Sequence, residues 1–468
     1  MTAALAAAAK GASVTIYERN DRPGKKILAT GNGKCNLGNH NLTAEHYHGS
    51  DKEKIADCLN RFGTKQTERF FTGIGLLLKE KNGYLYPACE QAAVVLDILR
   101  SALVQANVSL KLQHEVKEIR KLKDGTFDIK AAAPIEGSSS GKVVSTDRFD
   151  CVILSCGSKA APATGSDGSG YLLARQLGLS VTDVVPALVQ LRCREDFCKS
   201  IAGVRAEAGV RIMNTNGQTL MEERGELQLT DYGISGIPVF QLSGRVNFLL
   251  EEQKRKNQPA EVLAVIDFLP GMEEAIFRKW IAEREPLVKS SRTVEEFFTG
   301  ILHKKLMMLL IKQAGLKANQ PIVSVPDKII RGIYESCRCF PMHITGSNSY
   351  DSAQVCAGGV ALAEVNANLE SKKIPGLFLA GELLDVDGEC GGYNLQWAWT
   401  SGTIAGEAAA KKSDMAAGSS IVKKSNMVTG NTTVRKYKKT IAVSDKPTEG
   451  NSRRQADNGK SKRKETKR

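Results

Sequence analysis

The sequence predicts an α/β fold on three observations. The chain has 468 residues, enough for two or three domains, and its many glycines and few aromatic residues fit an α/β fold better than a β-sandwich. Residues 2–18 have the pattern of a helix followed by a strand. Residues 376–410 have the pattern of a buried strand, a glycine-rich turn and a second helix.

The N-terminal pattern is half of a dinucleotide-binding unit. Alanine-rich residues 2–9 predict a helix, Lys10-Gly11 its end, and residues 13–18 a short strand that finishes at Glu18. In a βαβ unit that binds a dinucleotide, a carboxylate at this position accepts a hydrogen bond from a ribose hydroxyl. The strand and the G-x-G-x-x-G loop that would precede the helix are not found in the sequence.

Two glycine-rich turns are candidates for anion binding. Lys25 and Lys26 precede Thr30-Gly-Asn-Gly33, a turn whose backbone N–H groups can approach an anion closely. Residues 382–392 form an acidic turn that leads into a helix, whose N-terminus carries a positive partial charge. An ordinary surface loop and an ordinary strand-to-helix connection are the alternatives for these two patterns.

Residues 184–346 have a different pattern. Short alternating strands are predicted at 188–192, 208–213 and 225–230, and a tight turn at 233–238. Helical patterns follow at 273–284 and 297–311, with a capping box at Thr293-x-x-Glu296. Met307 to Leu310 predict a packed core, with a substrate pocket as the alternative.

The net charge of +14 is unevenly placed. Residues 413–468 contain fifteen Lys and Arg against five Asp and Glu, a net charge of +10 that leaves only +4 for the rest. This tail has no hydrophobic period, so we predict that it is disordered. It can contact RNA or another polyanion through its cations, and a solvated tail without a partner is the alternative.

Other residue types set limits on the class of protein. Eleven cysteines without a CxxC pair indicate reduced thiols, and we expect a cytoplasmic location. No apolar run approaches the roughly 18 residues needed to span a membrane. His40, His46 and His48 cluster without matching metal-ligand spacing, so we predict no metal site.

Several segments together resemble one known family. Arg22 to Asn36 match R-P-G-K-K-x-x-x-T-G-N-G-[KR]-C-N, and Ala380 to Gln396 match A-G-E-x-x-D-x-x-G-x-x-G-G-Y-N-x-Q. Further matches stand, in the expected order, at 164–171, 232–238 and 353–360. These segments resemble the BaiN/YhiN-like flavoproteins, also labelled the aminoacetone oxidase family. The resemblance implies a two-dinucleotide-binding-fold (Rossmann-like) FAD domain with an inserted β-barrel and helical domain.

The resemblance also implies the domain organisation. The FAD-binding domain would comprise residues 1–183 and 346–412, the insert domain residues 184–345, and the disordered basic tail residues 413–468. The first part would lack the N-terminal strand and the glycine loop. A misassigned start codon, a truncation and an inactive, flavin-free protein are the explanations that stay open.

The resemblance implies a cofactor site around the FAD phosphates, ribose, adenine and flavin. Its expected residues are Glu18, Arg19, Lys25, Lys26, Thr30, Gly31, Asn32, Gly33, Cys35, Asn36, Val116, Gly157, Asp167, Gly381, Glu382, Asp387, Gly391, Gly392, Tyr393, Asn394 and Gln396. Reduction of a conjugated C=C bond needs a hydride and a proton. Cys35, His343, Cys390 and Tyr393 are the catalytic candidates for that proton, with simple packing as the alternative for each.

The predicted function is therefore that of an FAD-dependent oxidoreductase. The resemblance implies reduction of a carbonyl-conjugated C=C bond, as in a 3-oxo bile acid, with NAD(P)H as the ultimate electron donor. Reduction of ribosomal RNA uridine to dihydrouridine is the alternative. A steroid-type substrate predicts an apolar pocket between the FAD domain and the insert, whereas RNA predicts a basic rim. No second G-x-G-x-x-G for a nicotinamide cofactor is visible.

Overall fold

The computed structural model describes residues 1–135, 142–214, 216–288 and 292–426. The chain divides into two compact units, residues 1–419 and 420–468. In the second unit, the described residues are the last turns of a helix.

The first segment alternates helices and short strands. The N-terminal helix and the strand ending at Glu18 are confirmed. Asp124-Gly125 lies in the turn of an antiparallel hairpin. The first strand pairs in parallel with the strand at Ser109–Leu112. The elements are α1 Thr2–Ala9, β1 Thr15–Glu18, β2 Gly38–Asn39, β3 Tyr47–Gly49, α2 Lys52–Arg61, α3 Thr64–Gly73, β4 Leu78–Lys81, β5 Tyr84–Pro87, α4 Ala92–Gln105, β6 Ser109–Leu112, β7 Glu115–Lys121, β8 Phe127–Pro134, β9 Lys142–Phe149, β10 Val152–Leu154 and α5 Ser169–Gln176.

The middle segment contains a closed six-stranded barrel with helices. Its elements are β11 Val185–Ala187, β12 Leu191–Cys193, α6 Cys198–Ile201, β13 Arg205–Met213, β14 Thr219–Thr230, β15 Gly233–Gly236, α7 Ile237–Arg255, β16 Val262–Asp267, α8 Glu274–Val288, α9 Val294–Phe298, α10 Lys304–Gln313, α11 Asp327–Arg338 and β17 Phe340–Ser347. The barrel order is β12-β15-β14-β13-β16-β17.

Alternation along the strands explains the barrel core. Val262, Ala264 and Ile266 on β16 are buried, and so are Phe340, Met342 and Ile344 on the adjacent β17. Because side chains alternate between the two faces of a strand, every second residue points to one side of a closed sheet. The predicted barrel is thereby confirmed.

Three local predictions for this segment had different outcomes. The capping box is confirmed: the Thr293 hydroxyl accepts from the Glu296 N–H at 3.3 Å, and the Glu296 carboxylate accepts from the Thr293 N–H at 2.8 Å. The tight turn at residues 233–238 was wrong, because these residues form β15 and the start of α7. Proline fits there because Pro238 occupies the first turn of the helix, where its missing N–H costs nothing. Met307 and Leu310 belong to the buried core, as predicted.

The last segment returns the chain to the first. Its elements are β18 Val355–Ala357, β19 Leu377–Leu379, β20 Val386–Gly388 and α12 Tyr393–Asn426. Here β19 pairs in parallel with β10, β18 pairs with β11, and β20 pairs with β3. The domain boundaries stay a prediction.

Helix α12 extends past residue 413, where the sequence predicts that the disordered tail begins. The helix continues to Asn426. Residues 427–468, the remainder of the predicted disordered tail, lie outside the described residues.

Close packing of α1 against α12 depends on glycine. A Cβ on Gly406 would lie 2.2 Å from the Ala3 carbonyl oxygen, and one on Gly402 would lie 2.6 Å from the Thr2 hydroxyl. The two helix backbones therefore approach more closely than any side chain allows.

We predict that Gly406→Ala destabilises the protein by about 1–3 kcal/mol, as other overpacked core substitutions do. A lower melting temperature of the flavin-free protein checks this. Gly332→Ala is the matched control, because Gly332 lies within α11 and a Cβ there meets nothing within 4 Å. The control should be neutral or slightly stabilising. Equal melting temperatures for both variants would contradict the packing argument.

Candidate active site

The two glycine-rich segments predicted to bind the cofactor meet at one point. Gly31 and Asn32 adopt the left-handed conformation, and the chain then reaches Asn36. A Cβ on Gly392 would lie 2.6 Å from Asn36 Oδ1 and 2.9 Å from the Gly38 carbonyl oxygen. Asn39 Nδ2 donates to the Gly391 carbonyl at 3.3 Å. The start of α12 therefore packs against residues 36–39.

This junction offers both an acceptor and donors to a ligand. Asn36 is 9% exposed, and its Oδ1 accepts no hydrogen bond from the described residues. Gly391 and Gly392 have φ values of 129° and 94°, and directly precede α12, whose first N–H groups lack intrahelical partners. The pyrimidine ring of a flavin carries an N–H and two carbonyl groups. An unpaired acceptor beside a helix N-terminus fits that edge, so the residues present fit FAD.

Glu382 connects three other segments of the site. Its carboxylate accepts from Lys26 Nζ at 2.8 Å, from the Ser158 hydroxyl at 2.6 Å and from the Cys356 N–H at 2.9 Å. Beside it, the Gly381 N–H donates to the Ser401 hydroxyl at 2.8 Å. Protein groups thus engage both Glu382 oxygens, and the residue serves to hold the segments together.

The predicted ribose and phosphate residues lie around the end of β1. Glu18 accepts from the Asn20 N–H at 2.8 Å. Arg19 forms an ion pair with Asp167 and lies 3.8 Å from Glu115, the residue before Val116 on β7. Lys25 instead pairs with Asp21 at 2.8 Å. The structure therefore brings the end of β1, the start of β7 and the turn before α5 together. Gly157 follows β10 with a φ of 73°.

Three of the four catalytic candidates lie in the segments that meet at this junction. Cys35 is fully buried, which raises the pKa of its thiol to about 11. Tyr393 is buried as well, its hydroxyl donates to the Asn41 carbonyl at 3.1 Å, and burial raises its pKa to about 12. Cys390 is half-buried, and burial raises its pKa to about 12. Each group keeps its proton at neutral pH.

His343 has different neighbours. Its Nδ1 lies 2.7 Å from Glu195 Oε1, which also accepts from the His343 N–H at 2.8 Å. The pair borders a cleft that Arg194, Phe197 and Gln313 also line. Among the described residues, no hydrogen bond or ring contact joins His343 to the start of α12. Its catalytic role stays a prediction.

Three predicted cofactor residues make hydrogen bonds or ion pairs within the protein. Gln396 is fully buried; its Oε1 accepts from the Thr67 hydroxyl at 3.1 Å, and its Nε2 donates to the Phe62 carbonyl at 3.3 Å and the Thr400 hydroxyl at 3.0 Å. Both amide hydrogens are thus used, and we reassign Gln396 to the packing of α12 against α3. Asn394 bonds both backbone groups of Gly388, and Asp387 pairs with His48 at 3.2 Å.

Gln241 is a further residue of this region that no sequence motif indicated. It lies on α7, and its Oε1 accepts from the Cys390 N–H at 2.8 Å, so the insert helix contacts the cofactor segment directly. The buried residues Val239, Leu242, Val246 and Leu250 have helical spacing after Pro238, and this pattern could have revealed the helix.

Comparisons with known proteins identify the family of this chain. Residues 1–408 match the family described as HI0933-like protein Rossmann domain. This chain belongs to that family. The predicted BaiN/YhiN-like resemblance, the Rossmann-type FAD domain and the class of FAD-dependent oxidoreductase are confirmed.

Two relatives differ in how similar their sequences are to this chain. The chain is 43% identical over 416 residues to the 3-dehydro-bile acid delta(4,6)-reductase of Clostridium scindens, covering 88% of this chain and 97% of the relative. It is 27% identical over 400 residues to a ribosomal RNA dihydrouridine synthase of Haemophilus influenzae, covering 84% and 91%.

Solved structures are more distant. A 3-ketosteroid delta1-dehydrogenase from Sterolibacterium denitrificans is 12% identical, with a TM-score of 0.45 and coverage of 88% of this chain and 97% of that one. A TM-score of this size supports no assignment by itself.

The described part of the chain contains neither a candidate membrane-spanning helix nor a candidate metal site. None of its helices has the length and apolar character of a membrane-spanning segment. No group of three or more His, Cys, Asp or Glu side chains is arranged there to hold a metal ion. His40, His46 and His48 pair instead with Glu68, Glu389 and Asp387.

We predict that Asn36→Ala weakens FAD binding about tenfold, the effect of losing one hydrogen bond to a buried acceptor. Titration of the flavin-free protein with FAD measures this. The melting temperature of that flavin-free protein should fall less than in Asn394→Ala, because Asn36 Oδ1 has no hydrogen-bond partner to lose among the described residues.

Asn394→Ala is the control for this prediction. It removes hydrogen bonds to both backbone groups of Gly388, so it should lower the melting temperature even without FAD. Unchanged FAD affinity in Asn36→Ala would show that Asn36 does not contact the cofactor.

Proposed function

We propose that this chain reduces a C=C bond conjugated to a carbonyl group in a 3-oxo bile acid or similar steroid, with NAD(P)H as electron donor. The observation that supports this most is the 43% identity to the bile acid reductase along nearly its whole length. Identity to the ribosomal RNA dihydrouridine synthases is only 27% and 26%. All eleven cysteines are free thiols, which supports our proposal of a cytoplasmic location.

In this proposal the residues around the start of α12 hold FAD. Asn36 and the first N–H groups of α12 would bind the pyrimidine edge, and the segment around Glu18 and Arg19 the ribose and phosphates. When bound, FAD supplies the hydride chemistry, and the protein supplies orientation and a proton.

The proton is best assigned to the Cys390 thiol. Cys35 is fully buried, and the Tyr393 hydroxyl already donates a hydrogen bond to the Asn41 carbonyl. The Cys390 thiol, in contrast, has no hydrogen-bond partner among the described residues. The hydrogen bond from its backbone N–H to Gln241 fixes its position. With a pKa raised to about 12, the thiol carries a proton at any physiological pH.

The surroundings of Cys390 suit an apolar substrate. Cys390, Phe240 and Phe248 are half-buried and pack against one hydrophobic cluster. The cluster is built from the facing strands β11 and β18, and it comprises Val185, Ala187, Leu188, Val355 and Ala357. Apolar walls with a few placed polar groups are typical of small-molecule sites.

The test uses the purified full-length chain loaded with FAD, without oxygen. A 3-oxo bile acid with C=C bonds at positions 4 and 6 should gain two hydrogens per reduced bond when NADPH or NADH is supplied, measured by mass spectrometry. A protein that retains flavin and accepts electrons from dithionite, yet leaves this substrate unchanged, would refute the substrate assignment. Dihydrouridine formation in ribosomal RNA under the same conditions would support the alternative.

We predict that Cys390→Ala lowers the rate of bile acid reduction about 100-fold, the usual contribution of a positioned acid. Cys390→Ser, which keeps a proton-bearing group, should retain more of the rate. Neither variant should change the rate at which NAD(P)H reduces the flavin. Cys89→Ala is the control, because Cys89 is exposed. Unchanged turnover in Cys390→Ala would assign the proton to another group.

A further inference from the structure

An open cleft of about 550 Å³ lies along α7. Arg245, Phe248, Glu252, Arg255 and Lys256 line it. We propose that this cleft binds the adenosine 2′-phosphate part of NADPH, and that NADPH is therefore the preferred electron donor. This inference rests on the proposed function, since it names the binding site of the donor.

The charges of the cleft suit a phosphate group. It contains three cations and one carboxylate, and Lys256 pairs with Glu252 at 2.7 Å. Arg255 pairs with Asp183 at 2.8 Å, but both side chains are about 60% exposed and such pairs are weak. Among the described residues, no carboxylate lies within ion-pairing distance of Arg245. An exposed guanidinium without a partner is well suited to bind phosphate through two parallel hydrogen bonds.

An aromatic ring completes the recognition of a nucleotide. Phe248 lines the cleft one helical turn from Arg245. Its ring is half-buried against the hydrophobic cluster, so its position is fixed by packing. Adenine stacks on aromatic side chains, and such stacking is worth roughly 1–3 kcal/mol in nucleic-acid complexes.

The cleft is connected to the proposed catalytic residue along the same helix. Gln241 accepts from the Cys390 N–H, and Arg245 lies one turn later on the same face of α7. With a rise of 1.5 Å per residue, Arg245 is about 6 Å and Arg255 about 21 Å beyond Gln241 along the axis. A dinucleotide whose adenosine end lies in the cleft therefore binds beside the helix that also contacts Cys390.

With this cleft, NADPH can bind without a second dinucleotide-binding domain. The sequence contains no G-x-G-x-x-G, and a charged groove on a helix needs no such loop. The phosphate esterified to the adenosine ribose distinguishes NADPH from NADH, and three cations in one cleft favour the donor with the additional negative charge.

Calorimetric titration of the FAD-loaded protein with adenosine 2′,5′-bisphosphate tests the site directly. The wild-type chain should bind this probe more tightly than adenosine 5′-monophosphate, and its affinity should fall as salt is raised. Arg245→Gln should weaken binding at least tenfold. Arg278→Gln, an exposed arginine on α8 that pairs with Glu274, is the matched control and should bind as wild type does. Equal binding by wild type and Arg245→Gln would overturn the proposal.

Anaerobic flavin reduction separates this inference from the proposed function. Bleaching of the flavin band by NADPH should require at least tenfold more NADPH in Arg245→Gln, with little change for NADH. If NADPH bleaches wild type and Arg245→Gln equally, the cleft is not the donor site, while the proposed reductase function stands. If the bisphosphate binds through Arg245 but neither nicotinamide cofactor bleaches the flavin, the nucleotide site stands and the proposed donor is wrong.

Discussion

The close approach of Gly392 to Asn36 and Gly38 is the constraint on which the rest of the site depends. No side chain fits at Gly392, since its Cβ would overlap the Asn36 amide and a backbone carbonyl. Trp399, two turns into α12, donates to the Leu37 carbonyl at 2.9 Å and strengthens the same contact. Because α12 also packs on α1 through Gly406, this junction places the last segment of the FAD domain against the first.

The site also depends on the contact between the insert helix α7 and the segment that contains Cys390. Helix α7 follows the barrel strand β15 directly. Gly244 lets the helix approach β11 and β18 closely, because a Cβ on Gly244 would lie only 3.1 Å from the Cβ of Ala187. The same helix reaches Cys390 through Gln241. A movement of the barrel would therefore shift both the apolar cluster and Cys390, which makes α7 the element that relates substrate contacts to the cofactor.

The acidic turn between β19 and α12 is stabilised by partners from the N-terminal segment. His46 Nδ1 lies 2.8 Å from Glu389, and His48 pairs with Asp387. The hydrogen bond to Asp387 raises the pKa of His48 above its usual value. This contribution to stability is complete below about pH 6.5, the ordinary histidine pKa, and is lost as the pH rises through the higher folded value. Burial raises the pKa of Asp387, and the pairing with His48 offsets part of that shift.

The sequence alone determined the family, the α/β class with its inserted barrel, and the local elements with strong short-range patterns, such as α1, β1 and the Thr293 capping box. The family could be predicted because the spacing of a motif reflects which residue types surround a cofactor. The local elements could be predicted because helix propensity and turn preferences act over only a few residues. Only the tertiary structure decided which groups are free to bind. Asn36 and Gln396 both stand in matched motifs, yet Asn36 Oδ1 has no partner among the described residues while Gln396 is fully bonded. That difference arises from contacts between segments more than 300 residues apart, which no local pattern encodes.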